Sequence, residues 1–416
     1  MTSKVRAKWC RLAGVVGLLV CWLAPAPVRA QDSTLARLIR QNQYALVPSG
    51  THFGGPGWNK IRASIQASQF VLLGEDHGLA QVPAFAAAVA QELHPAVYVA
   101  EIDPYVAQQL TRLVAQPGPP TAYLQRYPES LCFYDWAEEF ELVRTLQAQQ
   151  VQLVGLDQVY CTTTAPVYAQ LAAQVKSPVA QRYFRERAAY YEAQNQRFER
   201  LGADDWAMLK QSAGARDSLL LLTKNESLAL QRLAQDYVAS FQIYDAQQRG
   251  LGHQQRLNLM KRNLLAALRP YQTASGLAAP KMLFKFGSNH LARGLSQSVK
   301  GEYYDVGNLV QNMADMQDQK SLHLYIIGKQ GERAESDNPY FPARRTGTYT
   351  ATTENADLLP YLTAVAGPAW SVFDLRPVRR ALTAGRLHLA SQSLQRSILG
   401  YDYLIVIPET TASHAM

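Results

Sequence analysis

Two carboxylates and an imidazole stand side by side at Glu75-Asp76-His77, enclosed by Gly74 and Gly78. In an extended chain Glu75 and His77 project to one side and Asp76 to the other. A carboxylate next to an imidazole tunes its proton affinity or, with further donors, helps to hold a metal. The same two-residue spacing recurs at Glu101 and Asp103, Asp157 follows Gly155-Leu156, and His290 follows Ser288-Asn289. These residue types supply His/Glu chemistry, in which water is activated directly or through a metal. The chain has no GxSxG elbow, no HExxH, no P-loop and no GxGxxG after a strand. A serine hydrolase of the usual design, a zincin and a nucleotide-binding enzyme are therefore disfavoured.

Each polar group sits at the end of an apolar run. The unbroken apolar run over 70–73 reads as a strand buried on both faces, 96–100 as a second buried strand, and further strands are expected over 151–156, 282–286, 322–327 and 403–407. An alanine-rich helix should follow Gly78 and stop at His94-Pro95, and helical spacing returns over 136–149. Alternating strands and helices predict an α/β fold, a largely parallel central sheet flanked by helices. Ligands bind at the carboxyl end of such a sheet. If the strands are parallel, Glu75/His77, Glu101/Asp103, Asp157 and Asn289/His290 gather on one face.

The expected organisation is a leader over 1–30, an approach segment over 31–68, and a first α/β half over 69–164. A helical insertion over 165–270 then covers the carboxyl-end face, followed by a second α/β half over 271–410 and a frayed tail over 411–416. The insertion is rich in tyrosine (Tyr183, Tyr190, Tyr191, Tyr237, Tyr244), which suits packing or the lining of an apolar pocket. Lys4, Arg6, Lys8 and Arg11 precede an apolar run over 12–23, and Val28-Arg29-Ala30 offers small residues for cleavage after Ala30. Pro25 and Pro27 cut that run short of the roughly 20 apolar residues a membrane span needs. An exported chain, periplasmic or secreted, without a membrane span is the expectation. The formal charge of +8 includes five cations in the leader (Lys4, Arg6, Lys8, Arg11, Arg29), so +3 remains after cleavage. That is no footprint for nucleic acid; a small-molecule substrate is the expected partner.

In this order the motifs resemble the erythromycin esterase-like family. Gly74-Glu75-Asp76-His77-Gly78 is similar to its Gly-Glu-…-His-Gly strand end, and Glu101 to the glutamate closing its next strand. Trp136 and Gly155-Leu156-Asp157 match a Trp-containing helix leading to a Gly-x-Asp strand end. Arg256, Met260 and Asn263 resemble its Arg-…-Met-…-Asn helix, Ser288-Asn289-His290 part of its His-Asn-x-His, and Tyr401 to Ile407 its closing strand. Two departures stand out. One residue, not two, separates Glu75 from His77, and Gly287 stands where that family's first histidine would be. The compact Gly-Glu-x-His form looks more like relatives in the same superfamily, the ChaN-type haem-binding proteins and the Tiki/TraB metallopeptidases.

The resemblance implies an exported hydrolase of an ester or related acyl bond. His77 would activate water and Glu75 orient it, while Glu101 would hold the water and His290 bind the developing oxyanion. Arg256, Asp103, Asp157 and Asn289 would meet the substrate, Arg256 alternatively pairing with one of the carboxylates. No cofactor is required in that reading. In the alternatives Glu75, His77, Glu101 and His290 hold Mn, Co or Zn, or a histidine ligates haem. Cys132 and Cys161, the two cysteines left after the leader, are expected near the carboxyl face, either bridged in an oxidising compartment or as two buried thiols.

Overall fold

The computed structural model describes residues 26–201, 207–274, 276–297, 301–335 and 346–416. The expected leader lies outside the described residues as far as residue 25. The strands, in chain order, are β1 (Gln43–Ser49), β2 (His52–Gly54), β3 (Phe70–Glu75), β4 (Val97–Ala100) and β5 (Gln152–Gly155). A two-residue hairpin, β6 (Gln272–Thr273) and β7 (Gly276–Leu277), precedes β8 (Met282–Gly287) and β9 (Ser321–Ala334). The last are β10 (Thr346–Thr350), β11 (Trp370–Asp374) and β12 (Tyr403–Thr410).

One sheet takes ten of them in the order β2-β1-β11-β12-β9-β3-β8-β4-β5, with β10 pairing β9. The six strands from β12 to β5 run parallel; β11, β1, β2 and β10 are joined antiparallel. The fold is α/β, as its apolar runs require. Every residue of β3, from Phe70 to Glu75, is buried, because β8 and β9 flank it and helices cover both faces. The strands ending at Glu75, Ala100, Gly155 and Gly287 are consecutive neighbours, so their polar ends share one rim.

Local chemistry fixes the connections at that rim. Gly78 takes φ +83, and a Cβ there would stand 1.9 Å from the Ala334 carbonyl, so only glycine turns the chain after His77. The helix Gln81–Leu93 follows and is ended by His94 in a left-handed conformation before Pro95, which disfavours helical geometry for the residue ahead of it. Asp103 caps the helix Pro104–Val114, its carboxylate accepting from Tyr105 and Val106 N–H with Pro104 in the first turn.

Several expectations give way. The segment 31–68 is integral to the sheet: β1 pairs with β11 and β2, and the glycine-rich stretch at Gly55 opens a helix running to Gln66. Strand β9 extends well past residue 327, its second half alternating in exposure to carry β10. The tail is not frayed. Leu79 bridges Ala412, Trp136 bridges Ala415, and the Ala80 and Ala137 amides donate to the Thr411 and His414 carbonyls. The insertion consists of helices Thr164–Gln174, Pro178–Leu201, Ala213–Thr223, Leu228–Gln248 and His253–Ala267. The first four have a core of their own. Tyr168 and Tyr237 are fully buried in it, edge-on to each other at 6.0 Å, with Tyr191 5.1 Å from Tyr168. These tyrosines are packing, not a groove lining.

Candidate active site

The strand ends assemble a chain of charged groups. Glu75 Oε1 accepts from His77 Nδ1 at 2.9 Å, and His77 Nε2 faces Glu101 Oε2 across 3.5 Å. The other oxygen of Glu101 receives Arg256 Nη2 at 2.7 Å and His290 Nε2 at 3.2 Å. The Gly287 amide donates to Glu101 Oε2 at 2.6 Å. Arg256 arrives from the helix His253–Ala267 and also grips Asp157, Nε to Oδ1 at 2.9 Å. On the same helix Asn263 Nδ2 holds the Leu156 carbonyl at the end of β5, while Met260 is buried. The His77 imidazole lies flat against the Phe133 ring, centroids 4.0 Å apart and planes 15° off parallel. About a quarter of its side chain stays exposed, so solvent and substrate can reach it.

The proton affinities follow from this packing. Burial alone would lower that of His77, but hydrogen bonds to Glu101 and Glu75 outweigh it and carry the pKa to about 9. His290 behaves alike: burial opposes charge, and Glu101 with Asp305 raises its pKa to about 10. Burial would raise Glu101, yet His290, His77 and Arg256 hold it well below the usual carboxylate range. Glu75 is lowered too, against burial, chiefly by Lys285 and His77. Both histidines are thus imidazolium at neutral pH, each with Nδ1 on a carboxylate and Nε2 directed at Glu101.

Glu75, His77, Glu101, Asp157, Arg256 and His290 are therefore brought together. Asp103 is not among them. It is 1% exposed and spends its oxygens on the amides of Tyr105, Val106 and Tyr160, a structural cap where substrate contact was expected. Burial, only partly offset by those amides, raises its pKa to about 6. Asn289 adjoins His290 and is exposed. Asp76 points to the opposite side, bonded to Tyr349 and, at 2.8 Å, to Asn355. Cys132 and Cys161 are both free thiols, the unbridged one of the two arrangements the sequence left open.

Sequence reasoning missed four residues. Asp305 holds His290 Nδ1 at 2.7 Å; its sequence position shows only a helix cap. Phe133 carries no local signal. Lys285 Nζ bonds Glu75 at 2.7 Å and Glu139 at 2.6 Å, all three buried. That lysine, alone in the apolar run Met-Leu-Phe-Lys-Phe, was a visible signal, because a buried cation demands counter-charges. His323, by contrast, is a satisfied core histidine on the Leu291 carbonyl.

No protein-family model matches the chain, and no curated protein matches it. In fold it is similar to a crystal structure of a Bacillus cereus protein at 13% identity and TM-score 0.57, spanning 92% of this chain and 99% of that one. A succinoglycan biosynthesis protein is similar at 13% identity and TM-score 0.54, over 93% and 99% of the two chains. The erythromycin esterase EreC, as a mutant in its open conformation, is similar at 12% identity and TM-score 0.51, over 86% and 95%. The relationship to each is one of fold.

Proposed function

We propose that this chain is an exported hydrolase that cleaves an ester or related acyl bond with water activated at His77. The observation carrying this reading is the Glu75–His77–Glu101 array, with the His77 side chain about a quarter exposed and its Nε2 facing a carboxylate across 3.5 Å. The neutral ring, with Nδ1–H held by Glu75, can take a proton from water at Nε2. Glu75 and Glu101 then stabilise the imidazolium formed. That proton is afterwards available to the leaving alkoxide. His290, kept cationic by Asp305 and Glu101, and Arg256 supply the positive charge an oxyanion needs. Two titratable groups with different proton affinities, one base and one electrophile, are the arrangement acyl transfer uses. The fold shared with an esterase supports the reading, and the basic, apolar leader supports export.

The donor set does not suit a metal. Arg256 already sits 2.7 Å from Glu101, both imidazoles face that same carboxylate, and no metal-holding cluster occurs among the described residues. For haem, His290 presents no free nitrogen, Nδ1 being on Asp305 and Nε2 turned to Glu101; at His77 Nδ1 is on Glu75 and only Nε2, facing Glu101 across 3.5 Å, is left.

The test is turnover of model esters and macrolides by the protein freed of its leader, beside His77→Ala. Equal rates for the two on every substrate that turns over would overturn the proposal.

A further inference from the structure

Lys285 lies in the middle of β8, level with Leu73 of β3 and Ala100 of β4. An ion-paired lysine there is not explained by stability, since apolar residues in place of a buried ion pair are often neutral or stabilising. Its position relative to the site is specific. Glu75 Oε1 accepts from two donors, Lys285 Nζ and His77 Nδ1. On its far side Lys285 binds Glu139 Oε1, while Glu139 Oε2 is buried with no hydrogen-bond partner. The other polar groups facing this trio are Tyr98 and Tyr134, bonded to each other at 2.9 Å and kept neutral by burial.

We propose that Lys285 is a positioning residue that fixes the tautomer of His77 through Glu75, with Glu139 as the counter-charge that leaves Glu75 anionic toward the imidazole. The inference rests on the hydrolase reading for its purpose, though not for its measurement. Without Lys285, Glu75 and Glu139 would face one another uncompensated, and two such carboxylates hold one proton between them. A proton on Glu75 would make it a donor to Nδ1, and the neutral ring would carry its own hydrogen on Nε2. Such a ring cannot take a proton from water. Without Glu139, Lys285 would pair with Glu75 alone and cancel the charge that His77 feels.

Two opposite defects follow, which a purely structural ion pair would not give. Imidazole nitrogen NMR titration of His77 in the substrate-free protein, beside pH–rate profiles on any ester turned over, reads them for Lys285→Met, Glu139→Gln and the double change Lys285→Met/Glu139→Leu. Glu139→Gln should move the His77 midpoint down by about one pH unit. Lys285→Met should put hydrogen on Nε2 of the neutral ring and lower the rate by about 100-fold. The double change should restore Nδ1–H and recover most of that rate, because the second carboxylate is gone. An unmoved midpoint in Glu139→Gln, or a folded double variant keeping the tautomer and rate of Lys285→Met, overturns the proposal. If Lys285→Met does not fold, Glu139→Gln and the double variant still decide it. The NMR arm needs no substrate, so a protein that hydrolyses nothing leaves it testable while sinking the hydrolase reading.

Discussion

Gly287 and His77 are in contact only because Gly287 has no side chain. A Cβ at that position would stand 2.9 Å from His77 Nε2 and 3.3 Å from Glu101 Oε2. Gly287 thus sets how closely base and carboxylate approach. Its backbone lies at φ −53, open to any residue, so the constraint is purely one of space. Gly287→Ala should leave the fold intact and push His77 off Glu101, lowering ester turnover about 10- to 100-fold. Kinetics with melting curves check this; an unchanged rate would refute the spatial argument.

The pH dependence has a definite sign. As His77 loses its proton near pH 9, the basic form grows, so kcat/KM of the free enzyme should rise through that value. It should fall again as His290 discharges near pH 10. Stability runs the other way. Both histidines have folded pKa values above the unfolded value of about 6.5. Their contribution is therefore complete below that value and lost as pH rises through 9 to 10. Burial raises Glu139 to about 7 despite Lys285, so its ionisation also weakens the fold on the way up. Melting temperatures recorded from pH 6.5 to 10.5 should decline steadily. A rise over that window would contradict the charge assignments.

Cys132 and Cys161 should count as two thiols in denatured, unreduced protein, since both are free. Burial raises both thiols' pKa values, which keeps them protonated and slow to alkylate in the native state. A count of zero would show a bridge.

The rim of the site was legible in the sequence because β3, β4 and β8 are buried and, with the edge strand β5, read as short, mostly apolar runs that end in polar groups. Once they are parallel neighbours, Glu75, His77, Glu101, Asp157 and His290 must meet. Asp305 was not legible: it reaches His290 only through the return of the chain after β8, a non-local event. Strand β1 carries a short apolar run, Tyr44 to Val47, but was hidden by Pro48, tolerated because its partner there, β2, is a short edge strand. The tyrosines of the insertion gave composition without direction, and only packing shows Tyr191, Tyr237 and Tyr244 turned inward while Tyr190 stays exposed.

The tail carries the last prediction. The Ala80 amide donates to Thr411 O at 3.0 Å and the Ala137 amide to His414 O at 2.8 Å. Ser413 N returns a bond to Gly78 O at 3.0 Å, and Met416 N one to Asp135 O at 3.1 Å. Ala80 lies three residues after His77, and Trp136 three after Phe133, the ring stacked on His77. The tail therefore ties together the two loops that hold the imidazole from either side. Both amides belong to helix starts, where N–H groups have no intrahelical acceptor. Deleting residues 411–416 should leave helix content unchanged and raise hydrogen exchange at Ala80 and Ala137 by about 10-fold or more. Ester turnover should fall with it as the stacking partner loosens. Exchange-mass spectrometry resolves the two segments, and protection at both amides equal to that of the full chain would show that the tail holds neither loop.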